Sequence, residues 1–166
     1  MQLRDLFSEF SFNDDKVIPL ALQQLLREPL NIAEDWQRTE QLLLAAKKVL
    51  PEQLEISMAL YKMYAYSNRF EDSLAMIELV LQQAATEAGF NEDWRQLSPG
   101  DVDASPPDRF TRYYLYSMKA WGFVNLRMGN IDEAMAVLEK LLALDPGDEV
   151  GGSVVYSIAE GLIEEA

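Results

Sequence analysis

The chain has 166 residues, 49% of them hydrophobic, which suits one domain with a real core. Lys and Arg number 14 against 28 Asp and Glu, a net charge of −14, and that balance opposes nonspecific nucleic-acid binding and adhesion to anionic membranes while favouring solubility and basic partners. The absence of Cys and His removes disulfides, thiolate metal sites, cysteine nucleophiles and the commonest general base.

The pattern is helical almost throughout. Leu3, Leu6, Phe7 and Phe10 share one helix face, and residues 1–15 read as an N-terminal helix that buries these four. Docking onto the chain's own first helix pair is favoured, so a monomer is expected; dimerisation through this helix is the alternative. Asp14 and Asp15 read as a helix-start signal. A second helix over Ile18–Glu28 carries Pro19 in its first turn. A third runs from Glu34 to Leu50 with Trp36, Leu43, Ala46 and Leu50 in line, so residues 16–51 form a degenerate helix pair. Pro51 opens a helix through Tyr66, and after the polar turn SNRFEDS another runs from Phe70 to Glu87; residues 52–87 form a second pair.

Residues 88–109 hold three prolines and two glycines and read as an inserted loop. Phe90, Trp94 and Leu97 are its apolar anchors. Phe90–Leu97 is expected to pack on the helices and Ser98–Ser105 to stay mobile; a plain surface insertion is favoured for the loop, and bordering the groove described below is the alternative. Helices resume over Phe110–Met128 and Asp132–Leu144, making 110–148 the clearest pair, with Tyr113, Tyr114, Met118 and Trp121 as candidate core. The stretch DPGDEVGG breaks the chain, and residues 149–166 read as a C-terminal capping helix with Ser153 as its cap and Val154, Ile158 and Leu162 facing inward. Strand signals are absent, so the fold class is all-α.

The chain repeats itself. Shifted by 61 residues, YAYSNRFEDSLAMIELVL lies over NLRMGNIDEAMAVLEKLL, pairing Phe70 with Ile131, Leu74 with Met135, Ile77 with Leu138 and Leu81 with Leu142. Gly122, Gly129, Ala134 and Pro146 stand seven, five and twelve residues apart. These spacings resemble the tetratricopeptide repeat, a 34-residue helical hairpin, over about Leu115–Asp148. The preceding hairpin keeps the apolar pattern but has Tyr61, Asn68 and Ser73 where that family places Gly, Gly and Ala. The first keeps Leu43, Ala46 and Pro51. The resemblance implies a stack of antiparallel helix pairs with extra terminal helices.

It also implies where a partner would bind. The first helix of each tetratricopeptide pair lines a concave face, and carried over residue by residue this gives Met58, Lys62, Ala65 and Tyr66, then Tyr116, Lys119, Phe123 and Arg127. Phe123 stands where chaperone-tail clamps of this family place an asparagine, so that clamp is not implied. Among the remaining residues nothing assembles a catalytic site. The Asp101–Asp103 pair lacks calcium-loop spacing, and VGGSV lacks the lysine of a phosphate loop. No enzyme activity, metal or cofactor is expected.

The N-terminus lacks the order of a signal peptide and no apolar run approaches about 18 residues, so a cytoplasmic location is expected. The functional expectation is an adaptor or accessory protein that binds a peptide or helix of a protein partner, of basic character given the charge. A secretion chaperone holding an apolar client segment is one alternative, since the small acidic tetratricopeptide chaperones of bacterial secretion systems share this size and charge. The other rests on RYYLYSMKAWGFVNLRMGN followed by LDPGDEVGGSVV. These stretches resemble small tetratricopeptide proteins that accompany nitrogenase genes in some bacteria, which implies an accessory role there.

Overall fold

The computed structural model describes residues 1–8, 24, 25, 27 and 30–165. Phe10, Asp14, Asp15 and most of the helix expected over Ile18–Glu28, Pro19 included, lie outside them; within that span Gln24, Leu25 and Arg27 are helical. Six α-helices are present among the described residues: α1 (Trp36–Val49), α2 (Leu54–Tyr66), α3 (Phe70–Ala88), α4 (Arg109–Arg127), α5 (Ile131–Leu144) and α6 (Gly152–Glu165). No strand occurs among them beyond an isolated antiparallel bridge between Gln2 and Asn31, and the fold is all-α. No helix among them is long and apolar enough to cross a membrane.

The chain divides into two compact units, Met1–Arg69 and Phe70–Ala166. The boundary falls inside the segment read from sequence as the second helix pair, 52–87.

In the first unit the described N-terminal residues form a 3-10 turn, Leu3–Phe7; residues 9–15 of the helix expected there lie outside the described ones. Pairing across residues 1–3 and 30–32 fixes it: the Leu3 amide donates to the Leu30 carbonyl at 2.8 Å and the Ile32 amide to that of Met1 at 2.9 Å. Leu3, Leu6 and Phe7 are buried, and the turn packs against α2. This helix is buried on every side from Leu54 to Ala65, as its nearly unbroken apolar sequence demands. By contrast α1 buries only Thr39 and Leu43. Its N-terminal end is tied by polar contacts instead: Trp36 donates to Ser67 Oγ at 2.6 Å, and the Tyr64 hydroxyl to Glu40 at 2.7 Å.

In the second unit α3 packs on α4, α4 on α5, and α6 on both α4 and α5. The crossing of α4 and α5 is close because Gly122 carries no side chain; a Cβ there would lie 2.7 Å from Leu138 Cγ. Ala134, Val137, Leu138 and Leu141 are fully buried.

The two turns of the 61-residue repeat have one backbone. Asn68 (φ 60°) and Gly129 (φ 84°) are both left-handed. The amides of Arg69 and Asn130 reach back five residues to the carbonyls of Tyr64 and Asn125, each at 2.8 Å. Ser73 and Ala134, five residues beyond, are each fully buried.

Two expectations at the C-terminal helix are corrected. Gly152, Val155 and Ala159 are the buried face of α6, whereas Val154 (64% exposed), Ile158 (51%) and Leu162 (40%) point to solvent. The cause is proximity: a Cβ on Gly152 would lie 2.6 Å from a Leu141 methyl, so the small residues take the contact. Nor is Ser153 the cap. It lies within the helix, and its amide and hydroxyl both donate to the Asp148 carboxylate.

Candidate functional site

The inserted segment, residues 88–109, is built onto the second unit. Gly89 (φ 87°) ends α3, and Phe90 sets its ring edge-on to Tyr114 at 4.8 Å. The Tyr114 hydroxyl donates to the Glu92 carbonyl at 2.8 Å. Asp93 opens a short 3-10 turn, Trp94–Gln96, by accepting from the Arg95 amide at 3.0 Å. Trp94 and Leu97 are buried, and the Leu97 carbonyl accepts from Lys140 Nζ on α5. In Ser98–Ser105, the part expected to stay mobile, most residues are exposed and a few are held. Ser98 and Asp101 form a capping box around the turn Pro99–Asp101, and Val102 and Ala104 are buried. Asp108 then caps α4 by accepting from the Thr111 amide at 2.8 Å.

This construction leaves a recess of about 400 Å³. One wall is Glu78, Leu81 and Gln82 of α3, another is Trp121 of α4, and the turn Glu92–Arg95 closes it. Glu133 of α5 fixes two of these groups: its carboxylate accepts from Trp121 Nε1 at 3.1 Å and from the Arg95 guanidinium. That guanidinium lies 4.2 Å from the centre of the Trp94 ring and 3.8 Å from Asp93. Glu78 and Glu92 have no cationic partner among the described residues. The surroundings are negative enough to register on a neighbour: the Tyr114 hydroxyl is pushed well above the usual phenol range, first by burial and then by the charges of Asp93 and Glu92.

The residues assigned to a concave face fall in both units. In the first, Met58 has no exposed surface, which removes it from any open face, and Ala65 is buried too. Lys62 is also buried and donates to the Leu6 carbonyl at 3.3 Å. Tyr66 is 58% exposed; with Lys62 it lines a recess whose other walls are Met1, Asp5, Leu6 and Ser8.

In the second unit Tyr116, Lys119 and Phe123 are half-buried and Arg127 is exposed, all on α4. Each cation lies over a ring: Lys119 Nζ is 4.4 Å from the centre of Tyr116, and the Arg127 guanidinium is 5.4 Å from Phe70 and 5.9 Å from Phe123. Lys119 also donates to the Val150 carbonyl at 2.7 Å. The insert does not border this face. At about 100° per residue, Trp121 projects about 140–160° around α4 from Tyr116 and Phe123, so the recess and the ring-and-cation face are on opposite sides of one helix.

Among the described residues no group of three carboxylates approaches closely enough to hold a metal ion, Asp101 and Asp103 included.

The chain is similar to one curated protein, an "Uncharacterized 19.8 kDa protein in nifW 5'region" of Azotobacter chroococcum mcd 1. The two are 27% identical over 122 residues, which cover 72% of this chain and 68% of the relative. No family model and no solved structure matches the chain.

Proposed function

We propose that this chain is a non-catalytic interaction protein of tetratricopeptide type, holding a peptide or helix of a protein partner on the ring-and-cation face of α4, and that it serves as an accessory to nitrogenase. The observation that carries the reading is that face. Tyr116, Lys119, Phe123 and Arg127 stand in sequence on one side of α4, with each cation over a ring and accessible side chains throughout. Aromatic rings and cations of this kind are the groups that dominate protein interfaces.

The tetratricopeptide reading is supported by the shared backbone of the two turns, by the glycine at the close crossing of α4 and α5, and by the full burial of Ala134. The absence of His and Cys supports a non-catalytic role. The nitrogenase reading is supported by the relative, whose name places it in the region 5′ of nifW.

The test is crosslinking and mass spectrometry of the tagged chain in a nitrogen-fixing host, beside the double variant Phe123→Ala/Arg127→Glu. Nitrogenase or its assembly proteins should be crosslinked by the natural chain and lost from the folded variant. An unchanged set of crosslinked proteins would remove the α4 face from the reading, and a set without nitrogenase-related proteins would remove the accessory role.

A further inference from the structure

The recess between α3, Trp121 and the insert uses residues that the α4 face does not, and its chemistry is specific. Its wall holds carboxylates and indoles together, and one of its own members shows what that combination retains. The Arg95 guanidinium lies over Trp94 and is paired with Asp93 and Glu133. Those contacts use Asp93 and Glu133, and leave Glu78 and Glu92 lining a space of about 400 Å³ beside half-buried Trp121 with no ion-pair partner among the described residues.

We propose that the recess is a binding site for an arginine side chain presented by a protein partner. Three observations converge on that occupant. Glu78 and Glu92 line the space with no ion pair among the described residues, so the complementary occupant is a cation. Trp121 is held by its Nε1–H bond to Glu133, which presents a fixed indole beside the two carboxylates. The site already stabilises a guanidinium on an indole, and a planar guanidinium both stacks on a ring and forks to carboxylates, where an ammonium is a point charge. The net charge of −14 draws such a partner in and repels a second copy of this chain.

The proposal rests on reading the chain as an interaction protein, but its test does not require the partner. The ¹⁵N-labelled full chain is titrated with acetyl-arginine-methylamide, acetyl-lysine-methylamide and the uncharged acetyl-norleucine-methylamide while the three indole N–H signals are followed. Trp36, which does not line the recess, is the internal control. The arginine probe should shift Trp94 and Trp121 and leave Trp36 in place, the lysine probe should bind at least several-fold more weakly, and norleucine should shift nothing. In Glu78→Gln/Glu92→Gln, two exposed positions whose replacement leaves the core intact, arginine affinity should fall at least tenfold. Equal shifts at all three indoles, no shift at Trp94 and Trp121, equal response to lysine, or undiminished binding by the double variant would each overturn the proposal. Loss of probe binding with crosslinking through the α4 face intact would sink the arginine site alone.

Discussion

The turns at Asn68 and Gly129 solve one geometric problem with different residues. Both backbones go left-handed at the same place and close the same five-residue hydrogen bond, yet one has an amide side chain where the other has none. The helices before them differ more. Tyr61, at the position equivalent to Gly122, is one of the largest fully buried side chains, whereas at Gly122 even a methyl group would press into Leu138. A turn is therefore set by backbone hydrogen bonding, which several residues satisfy, while the helix before it is set by packing volume, where Gly and Tyr are not interchangeable.

Exchange experiments can break that comparison, and the largest effects belong to the helices. Tyr61→Ala should cost about 3–5 kcal/mol, as expected for a buried aromatic cut to a methyl. Gly122→Ala should cost about 1–3 kcal/mol through overpacking. Urea denaturation reads both, and a Gly122→Ala midpoint equal to that of the natural chain would show that α5 yields freely at the crossing.

The turns should respond less, and unequally. Gly129→Ala should lose about 1–2 kcal/mol, because a Cβ strains the left-handed region. Asn68→Gly should change stability by only a few tenths of a kcal/mol, Asn being tolerated there. Equal losses at both turns would mean that their shared backbone does not reflect shared energetics.

The smallest effect sharpens the comparison at a third left-handed residue, Asp148 (φ 53°). Its carboxyl is held below the usual carboxylate range, chiefly by the Ser153 hydroxyl, then by the Ser153 amide, with Lys119 and the Gly152 amide adding to it. A lowered pKa stabilises the folded state above the ordinary carboxylate pKa, and that contribution disappears as pH falls through the lowered value. The stability gap between the natural chain and Asp148→Asn should thus be widest at neutral pH and close in acid. A gap independent of pH would mean that the charge on Asp148 contributes nothing.

Helix positions were legible because apolar period and helix-ending residues act locally. The sequence places α4 at Phe110–Met128 and the structure at Arg109–Arg127. Tyr114 and Met118 are fully buried, as their positions in the aromatic run predict. The face of α6 was not legible. Apolar residues surround that helix, and the choice among them was made by how closely Gly152 approaches Leu141, a distance no periodicity encodes. The recess was half legible: Trp94 stands out as an apolar anchor in a polar segment, but its meeting with Glu78 on α3 and Trp121 on α4 depends on tertiary packing. Of the residues assigned to the concave face, Met58 shows the limit of carrying positions over from a resemblance, since register along a helix does not report what else covers it.

The bare stripe on α6 gives the chain's acidity a colloidal role. Val154, Ile158 and Leu162 run along one side of a helix that contains no basic residue and ends in Glu164 and Glu165. Apolar stripes of this kind on separate molecules attract at contact, whereas the net charge of −14 repels them at longer range. The reach of that repulsion is the Debye length, about 8 Å at physiological ionic strength and about 3 Å in 1 M salt. Self-association through this stripe should therefore rise with ionic strength, and light scattering across a salt series that stayed flat would show that the stripe does not adhere.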